Sequence, residues 1–299
     1  MSFWILTDAC SDLPCEYIRK QAKFHVVPML YSANQEEAYL DLTQEDSAEK
    51  TRQFYAKMRG GALTHTSQVN QKTWEEAAEK HLIDGEDVLI LAFSSGLSST
   101  AQMAALACEE LRQRYPNRRI ASVDSLCASL GEGLFVHYCL QYRDAGHSLE
   151  ETRVYGEDLK KRTIHWFTVD DMVYLKRGGR ISAASYVAAT VLHIKPVLNV
   201  DPKGHLVNRA KVQGRRRSLK ALLERTREHA DHPEQQTMFI GHGDCLEDAQ
   251  WLAEKLKEEL KVPEVMISQI GPVIGAHSGP GTLAVFFLGH GPSDRLEAE

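Results

Sequence analysis

Residues Asp87–Tyr115 read DVLILAFSSGLSSTAQMAALACEELRQRY, and this stretch sets the predicted fold of the first half of the chain. Val88–Phe93 is continuously apolar, which is typical of a buried strand in a parallel sheet. A hydroxyl-rich turn follows at Ser94–Thr100, and apolar side chains then recur with the spacing of one helix face. The order strand, polar turn, helix directs free backbone N–H groups of the helix toward an anion.

The Ser94–Thr100 turn has the composition of an anion site rather than of a nucleotide-triphosphate loop. Five of its seven residues carry hydroxyls, whereas capping one helix requires only one. The Walker pattern Gly-x-x-x-x-Gly-Lys-Ser/Thr does not match here, and the turn contains no lysine. A cluster of ordinary helix N-caps is the alternative interpretation. We predict that the turn binds a carboxylate or a phosphate.

Composition and charge limit the class of protein. The chain has 299 residues, enough for two domains with separate cores, and its net charge of −6 gives no electrostatic reason to expect nucleic acid. No apolar stretch approaches the roughly 20 residues of a membrane helix, and the first residues do not resemble a signal peptide. The six cysteines are scattered without a Cys-x-x-Cys pair. We therefore expect a cytoplasmic protein with free thiols and without a metal site.

The order of predicted elements divides the chain into two parts. Strands and helices alternate through residues 1–162, which predicts an N-terminal α/β domain with a parallel, Rossmann-like sheet. Residues 163–299 are predicted to form a C-terminal α+β domain. In a parallel sheet, ligands bind beyond the carboxyl ends of the strands. Four polar turns are expected to converge there: Thr7–Asp12, Thr66–Gln68, Ser94–Thr100 and Asp124–Ser125.

In the second half, His277 and several arginines could contact an anion. His277 lies in a segment rich in glycine, predicted as a loop, where backbone can approach a ligand and the imidazole can donate a hydrogen bond. A turn histidine bonded to backbone is the simpler alternative. The arginines at 177–180 and 215–217 suit a phosphate or the acidic face of a partner. Their alternative is a solvated basic surface.

A serine hydrolase of lipid esters is the alternative to an anion-binding protein. Ala92–Gly96 resembles a nucleophile elbow with Ser94 as the nucleophile, and Asp244 and His277 follow in the order of an α/β-hydrolase triad. An elbow needs only one serine, however, so the neighbouring hydroxyls remain unexplained. The first half also lacks a His-Gly-Gly oxyanion loop.

Taken together, the motifs resemble the DegV family of bacterial fatty acid-binding proteins, in the same order along almost the whole chain. The matching segments are Thr7–Pro14, Thr66–Gln68, Ser94–Thr100, Asp124–Ser125, Leu175–Ser182, Ile194–Pro196 and Gly271–Gly281. Two positions depart from the family pattern. Ser99 stands where the family commonly has glycine, and Gln213 stands where many members carry arginine.

The resemblance implies a two-domain fold that holds one long-chain fatty acid between the domains, without a cofactor. The residues implied to bind its carboxylate are Thr66, Ser94, Ser95 and His277. Supporting positions are Ser67, Ser125, Gly96 and Gly279. An apolar tunnel is needed for the acyl chain, and the candidate walls are Ala104, Leu134 and Val187.

The resemblance also implies a substrate-presenting protein rather than an enzyme. Members characterised as fatty acid kinase subunits present the carboxylate to a separate ATP-dependent kinase, which forms an acyl phosphate. The basic residues expected to face such a partner are Arg177, Arg180, Lys211 and Arg215. Brief contact with a membrane surface is compatible with this function. The length of the acyl chain and the oligomeric state are left open.

Overall fold

The computed structural model describes residues 3–181 and 194–291. In chain order, the elements of the first half are β1 (Trp4–Asp8), α1 (Cys15–Ile18), β2 (Phe24–Val27), β3 (Met29–Ala33), β4 (Glu36–Leu40), α2 (Ser47–Arg59), β5 (Thr64–Thr66), α3 (Gln71–Leu82), β6 (Val88–Ala92), α4 (Thr100–Arg114), β7 (Ile120–Asp124), α5 (Leu130–Asp144) and α6 (Leu149–Arg162). Strands β2, β1, β6 and β7 form a parallel sheet in that order. The predicted parallel α/β arrangement is confirmed.

The second half is built on a mixed six-stranded sheet. Its elements are β8 (Thr163–Thr168), α7 (Val173–Arg177), β9 (Ile194–Val200), β10 (Leu206–Gln213), α8 (Arg215–His229), β11 (Thr237–His242), α9 (Leu246–Leu260), β12 (Glu264–Gln269), α10 (Pro272–Ser278) and β13 (Leu283–Leu288). The strand order is β10-β9-β8-β13-β11-β12, and only the β11–β12 pair is parallel among the described pairings. This confirms the predicted α+β half. The division at 162/163 stays a prediction, although β8 begins at Thr163.

Local sequence signals account for several of these elements. All five residues of β6 are buried, as its continuous apolar run predicted. Ser148 and Glu151 have the Ser-x-x-Glu spacing of a capping box, and they form one at the start of α6. A tight turn at residues 202–204 joins β9 to β10, where the Gly204 N–H donates to the Asp201 carbonyl over 2.9 Å.

Other parts differ from the prediction. A small antiparallel sheet of β4, β3 and β5 was not expected, and Pro28, which has no N–H to donate, separates β2 from β3. Pro14 is the N-cap of α1, although Ser11 and Asp12 shortly before it are residue types that commonly cap helices. Asp12 has a left-handed backbone, and its carboxylate bonds elsewhere in the chain.

Helix α5 lies between the parallel sheet and the six-stranded sheet. It contacts β8, β11 and β13, although it belongs to the first half of the chain. Gly131 permits this close approach because a Cβ there would lie 2.1 Å from the His165 ring nitrogen Nε2. A large buried apolar cluster contains side chains of both halves, among them Leu6, Leu134 and Phe286. Apolar packing therefore continues from one half into the other at this surface, while a second buried cluster lies entirely within the second half.

Candidate functional site

A cavity of about 510 Å³ lies between the two halves, bordered by the inner face of the six-stranded sheet. Its volume falls within the range of about 300–1,000 Å³ that is common for small-molecule sites. The apolar lining residues are Met29, Phe93, Leu97, Ala128, Phe167, Leu175, Val200, Leu206, Ile270, Val273, Ile274, Ala284 and Phe286. The hydroxyl and amide lining residues of the first half are Thr66, Ser67, Gln68, Ser95, Ser98, Ser99 and Ser129. Such a lining suits a long apolar ligand with a polar group.

Thr66 and His277 form a polar pair on the wall of this cavity. The Thr66 hydroxyl Oγ1 lies 2.8 Å from His277 Nε2, and the residues come from β5 and α10. Burial, together with the nearby positive charge of Arg180, lowers the pKa of His277 to about 4. The imidazole is therefore neutral near pH 7. Its other nitrogen, Nδ1, is buried against Gly178, where a Cβ would approach to 2.2 Å.

Helix α10 replaces the glycine-rich loop that was predicted around His277. Pro272 occupies its first turn, where a proline is tolerated because that N–H needs no helical partner. Residues of the first half hold the helix at both ends. The Tyr55 hydroxyl donates to the Ile270 carbonyl over 2.9 Å, and the Thr64 hydroxyl donates to the Ala276 carbonyl over 3.2 Å. The histidine is thus placed by contacts that are distant in sequence.

Carboxylates at the ends of two strands hold the serine-rich turn. Asp8 Oδ2 accepts from the Phe93 N–H over 3.1 Å, and Asp124 Oδ1 accepts from the Ser95 N–H over 3.1 Å. Ser95 itself is exposed and lines the cavity. These positioning roles were not predicted, because a local pattern does not show which backbone amide a strand-end acid will meet.

Ser94 and Ser125 do not line the cavity. The buried Ser94 hydroxyl donates to the Gly204 carbonyl over 3.0 Å and accepts from the Gly96 N–H over 3.2 Å. The Ser125 hydroxyl accepts from the Cys127 N–H over 3.1 Å. Both serines therefore satisfy protein groups, and the structure brings Thr66, Ser95 and His277 to the cavity without them.

The two glycines predicted to support the site lie at crowded positions. A Cβ on Gly96 would come within 2.6 Å of the Gly204 backbone, so this glycine allows the two halves to meet. Gly279 follows α10 with a φ of 82°, and a Cβ there would lie 2.3 Å from the Tyr174 ring. Both glycines permit close packing around the cavity.

The four basic residues predicted to face a partner have different environments. Arg177 and Lys211 are exposed. Arg180 lines the cavity, and its Nε donates to the Leu97 carbonyl over 3.2 Å. Burial lowers the pKa of this guanidinium. Arg215 bonds to the carboxylate of Asp248 over 2.8 Å.

The hydrolase triad is not assembled. The Asp244 carboxylate pairs with Arg59, while His277 contacts Thr66 and Ser94 contacts the Gly204 carbonyl. Each of the three side chains thus bonds to a different partner. The hypothesis of a Ser94 nucleophile is wrong on this geometry, because a nucleophilic serine needs a base within hydrogen-bonding distance.

The predicted walls of the acyl tunnel also need correction. Ala104 and Leu134 are fully buried in the core and do not line the cavity, and Val187 lies outside the described residues, as does Ser182.

None of the described helices combines the length and the hydrophobicity that a bilayer-spanning segment requires. Within residues 3–181 and 194–291, no group of three or more His, Cys, Asp or Glu side chains is arranged to hold a metal ion.

Comparison with known proteins identifies the family. The family model described as "Uncharacterised protein, DegV family" matches residues 2–290. The chain belongs to the DegV family. A DegV domain-containing protein of Clostridium perfringens is 42% identical over 287 residues, covering 96% of this chain and 97% of that protein.

Solved DegV structures share the fold. A DegV family protein from Thermus thermophilus, described by its fatty acid binding, superposes with a TM-score of 0.86 at 27% identity and covers 97% of this chain and 100% of its own. DegV of Bacillus subtilis, described as a fatty acid binding protein, gives a TM-score of 0.81 at 26% identity, with coverage of 97% and 99%. The two-domain DegV architecture therefore extends to this chain.

Proposed function

We propose that this DegV-family protein binds one long-chain fatty acid in the cavity between its two halves. The observation that carries the proposal is an apolar cavity with the Thr66–His277 pair on its wall. Fatty acid binding by the DegV proteins of Thermus thermophilus and Bacillus subtilis supports the same ligand class. The ligand carboxylate contacts Thr66, His277 and Ser95, while Ser94 acts by joining the turn to Gly204.

The chemistry of the cavity suits an anionic lipid. Burying about 16 methylenes at ~0.8 kcal/mol each gives a gross gain of order 10 kcal/mol before the costs of association. A hydroxyl and a neutral imidazole N–H can both donate to a carboxylate. Arg180, whose charge already lowers the pKa of His277, places a cation near the same end. The acyl chain supplies affinity, and the polar groups fix its orientation.

We further propose that the protein presents its ligand to a separate ATP-dependent kinase and performs no catalysis itself. Ser67, Gln68, Ser95 and Ser99 line the cavity and are exposed, so the polar end of the ligand is accessible from solvent. Exposed Arg177 and Lys211 are candidates for contacting the kinase. The reaction would take place in the cytoplasm, and the protein would need no cofactor.

Organic extraction of natively purified protein, followed by mass spectrometry, tests the ligand class. We expect one long-chain fatty acid per chain. Thr66→Val and His277→Ala should weaken the affinity for added palmitate about tenfold, because each removes one hydrogen bond to a charged group. Thr226→Val is the matched control, since it removes a buried hydroxyl bonded to the Leu222 carbonyl in α8. Lipid-free protein that also fails to bind added palmitate or oleate would overturn the proposal.

Two further assays separate presentation from catalysis. A fluorophosphonate should not label Ser94, because its hydroxyl bonds to the Gly204 carbonyl and the Gly96 N–H, and none of the described residues contacts it as a general base. With an ATP-dependent fatty acid kinase from the same source, hydroxylamine should trap an acyl hydroxamate only when kinase, ATP and loaded protein are all present. Hydroxamate formation without the kinase would contradict the presenting role.

A further inference from the structure

We propose that Asp12 and Ser129 are positioning residues, which hold α10 so that His277 faces Thr66. The proposal rests on the proposed function, because it concerns the residue that contacts the ligand carboxylate. Neither residue was singled out for this role from the sequence. Both are buried, and Ser129 also lines the cavity.

Asp12 is hydrogen-bonded to the segment that begins α10. Asp12 Oδ1 accepts from the Gly271 N–H over 2.9 Å, directly before the helix begins. The Asp12 carbonyl accepts from the Ser268 hydroxyl over 3.0 Å. A helix of seven residues is too short to be stable alone, so its position depends on such contacts. Asp12 thereby joins the end of the first strand's turn to the segment that carries His277.

Asp12 is also hydrogen-bonded to Ser129. The Ser129 hydroxyl donates to Asp12 Oδ2 over 2.6 Å, so each carboxylate oxygen has its own donor. A carboxylate fixed at both oxygens has one orientation, which sets the position of the Gly271 amide. The Ser129–Asp12–Gly271 series therefore connects the start of α5 with the start of α10.

The backbone of Ser129 indicates that its side chain matters at this position. Its φ of 54° and ψ of −145° belong to a region that is essentially restricted to glycine. A glycine would adopt this conformation more easily but would lack the hydroxyl. The structure thus retains a serine where backbone geometry favours glycine, and the hydroxyl bonds to Asp12.

Two further contacts, both to backbone carbonyls, also hold α10. Tyr55 contacts the Ile270 carbonyl, and Thr64 contacts the Ala276 carbonyl. These two contacts use carbonyl groups, whereas Asp12 binds the N–H at the helix start. Loss of Asp12 or Ser129 should therefore loosen α10 without detaching it, and the buried His277 ring should become more hydrated.

The experiment measures the titration of His277 by NMR and palmitate affinity in Asp12→Asn, Ser129→Ala and Ser129→Gly. In the wild type, burial holds the pKa of His277 at about 4. We expect the three variants to raise it by about one unit toward its ordinary value and to weaken palmitate binding about tenfold. Thr226→Val is the matched control and should change neither quantity. Subtraction of the His277→Asn spectrum identifies the resonance among the 13 histidines.

The two serine variants keep the test decisive if Asp12→Asn does not fold. Ser129→Gly relaxes the backbone while removing the hydroxyl. A raised pKa of His277 in this variant would therefore assign the effect to the loss of the hydroxyl. Folded variants with wild-type His277 titration and wild-type palmitate affinity would overturn the proposal. If the wild type does not bind palmitate, the proposed function fails, whereas titration of the ligand-free protein still tests the positioning.

Discussion

On the outer face of the six-stranded sheet, side chains of β8, β11 and β13 pack against α8 and α9, whereas on the inner face alternate side chains of β8 and β13 border the cavity. Ile164 and Trp166 of β8 belong to the outer cluster. Their neighbours His165 and Phe167 line the cavity. The same strands thus serve two surfaces, because successive side chains of a strand point to opposite faces.

The two faces of the sheet differ in the size of their side chains. The outer positions of β13 carry large apolar side chains at Leu283, Val285 and Phe287, all fully buried. The inner positions include the small Ala284, which leaves space beside Phe286. Large side chains fill the outer surface, and a small one on the inner surface preserves volume for a ligand.

Phe287→Ala should have the largest effect on stability. Removing this fully buried ring from the outer surface should lower the free energy of unfolding by about 3–5 kcal/mol. Urea denaturation measures the loss, and palmitate affinity of the folded fraction should not change. A large loss of affinity with wild-type stability would mean that the outer surface also serves binding.

Alanine-to-leucine changes on the two surfaces should give opposite results. Ala249→Leu enlarges a fully buried residue of α9 and should cost about 1–3 kcal/mol by overpacking. Ala284→Leu extends into the cavity, so it should cost less than about 1 kcal/mol but weaken palmitate binding at least tenfold. Denaturation and palmitate titration of both variants test the contrast. Equal stability losses would show that the cavity cannot accept the added side chain.

Stability should depend on pH through Asp12. Burial raises the pKa of Asp12 to about 7 from its ordinary value of 3.8, so the folded state binds more protons than the unfolded state between these values. Raising the pH from about 6 to 8 should therefore lower the contribution of Asp12 to stability by about 1 kcal/mol.

The Asp12→Asn variant isolates this contribution. Asp8, whose pKa burial raises to about 6, also faces this region, as do Glu132, Cys10 and Tyr55. Buried histidines with a lowered pKa contribute with the opposite sign, but they are present in both proteins. The stability of the variant relative to the wild type should rise by about 1 kcal/mol from pH 6 to 8. A constant difference would contradict a raised pKa of Asp12.

Asp244→Asn should have the smallest effect. Asp244 and Arg59 form a partly exposed ion pair away from the lining of the cavity. Its removal should cost less than about 1 kcal/mol and leave palmitate affinity unchanged. Calorimetric titration with palmitate provides the check, and a substantial loss of binding would place Asp244 in the site after all.

Local sequence rules account for the elements but not for all of the site. The apolar run of β6 and the Ser148–Glu151 capping box depend on neighbouring residues, so both could be predicted. Helix α10 was missed because glycine and proline are usual in loops, yet Pro272 occupies a tolerated position and Gly275 packs closely against Tyr55. In such cases tertiary packing overrides the local preference.

The site itself depended on contacts between distant residues. Ser94 was predicted to bind the ligand, but its hydroxyl bonds to a carbonyl 110 positions away. Asp12 lies in a segment that the family pattern includes, yet its bond to the Gly271 N–H spans 259 positions. Neither pairing leaves a periodic signal. By contrast, the polar turns Thr66–Gln68 and Ser94–Thr100 were visible in the local sequence, and both contribute residues to the lining of the cavity.

The Thr66–His277 pair also has a consequence for synthesis of the protein. Its two residues are separated by 211 positions, so the histidine is added about 10–40 s after the threonine at ~5–20 residues per second. During that interval the parallel sheet can form, but the cavity wall that carries the pair is incomplete. On the proposed function, the nascent chain could bind a lipid only after α10 has reached the first half, so lipid loading would be a late event in the life of each new molecule.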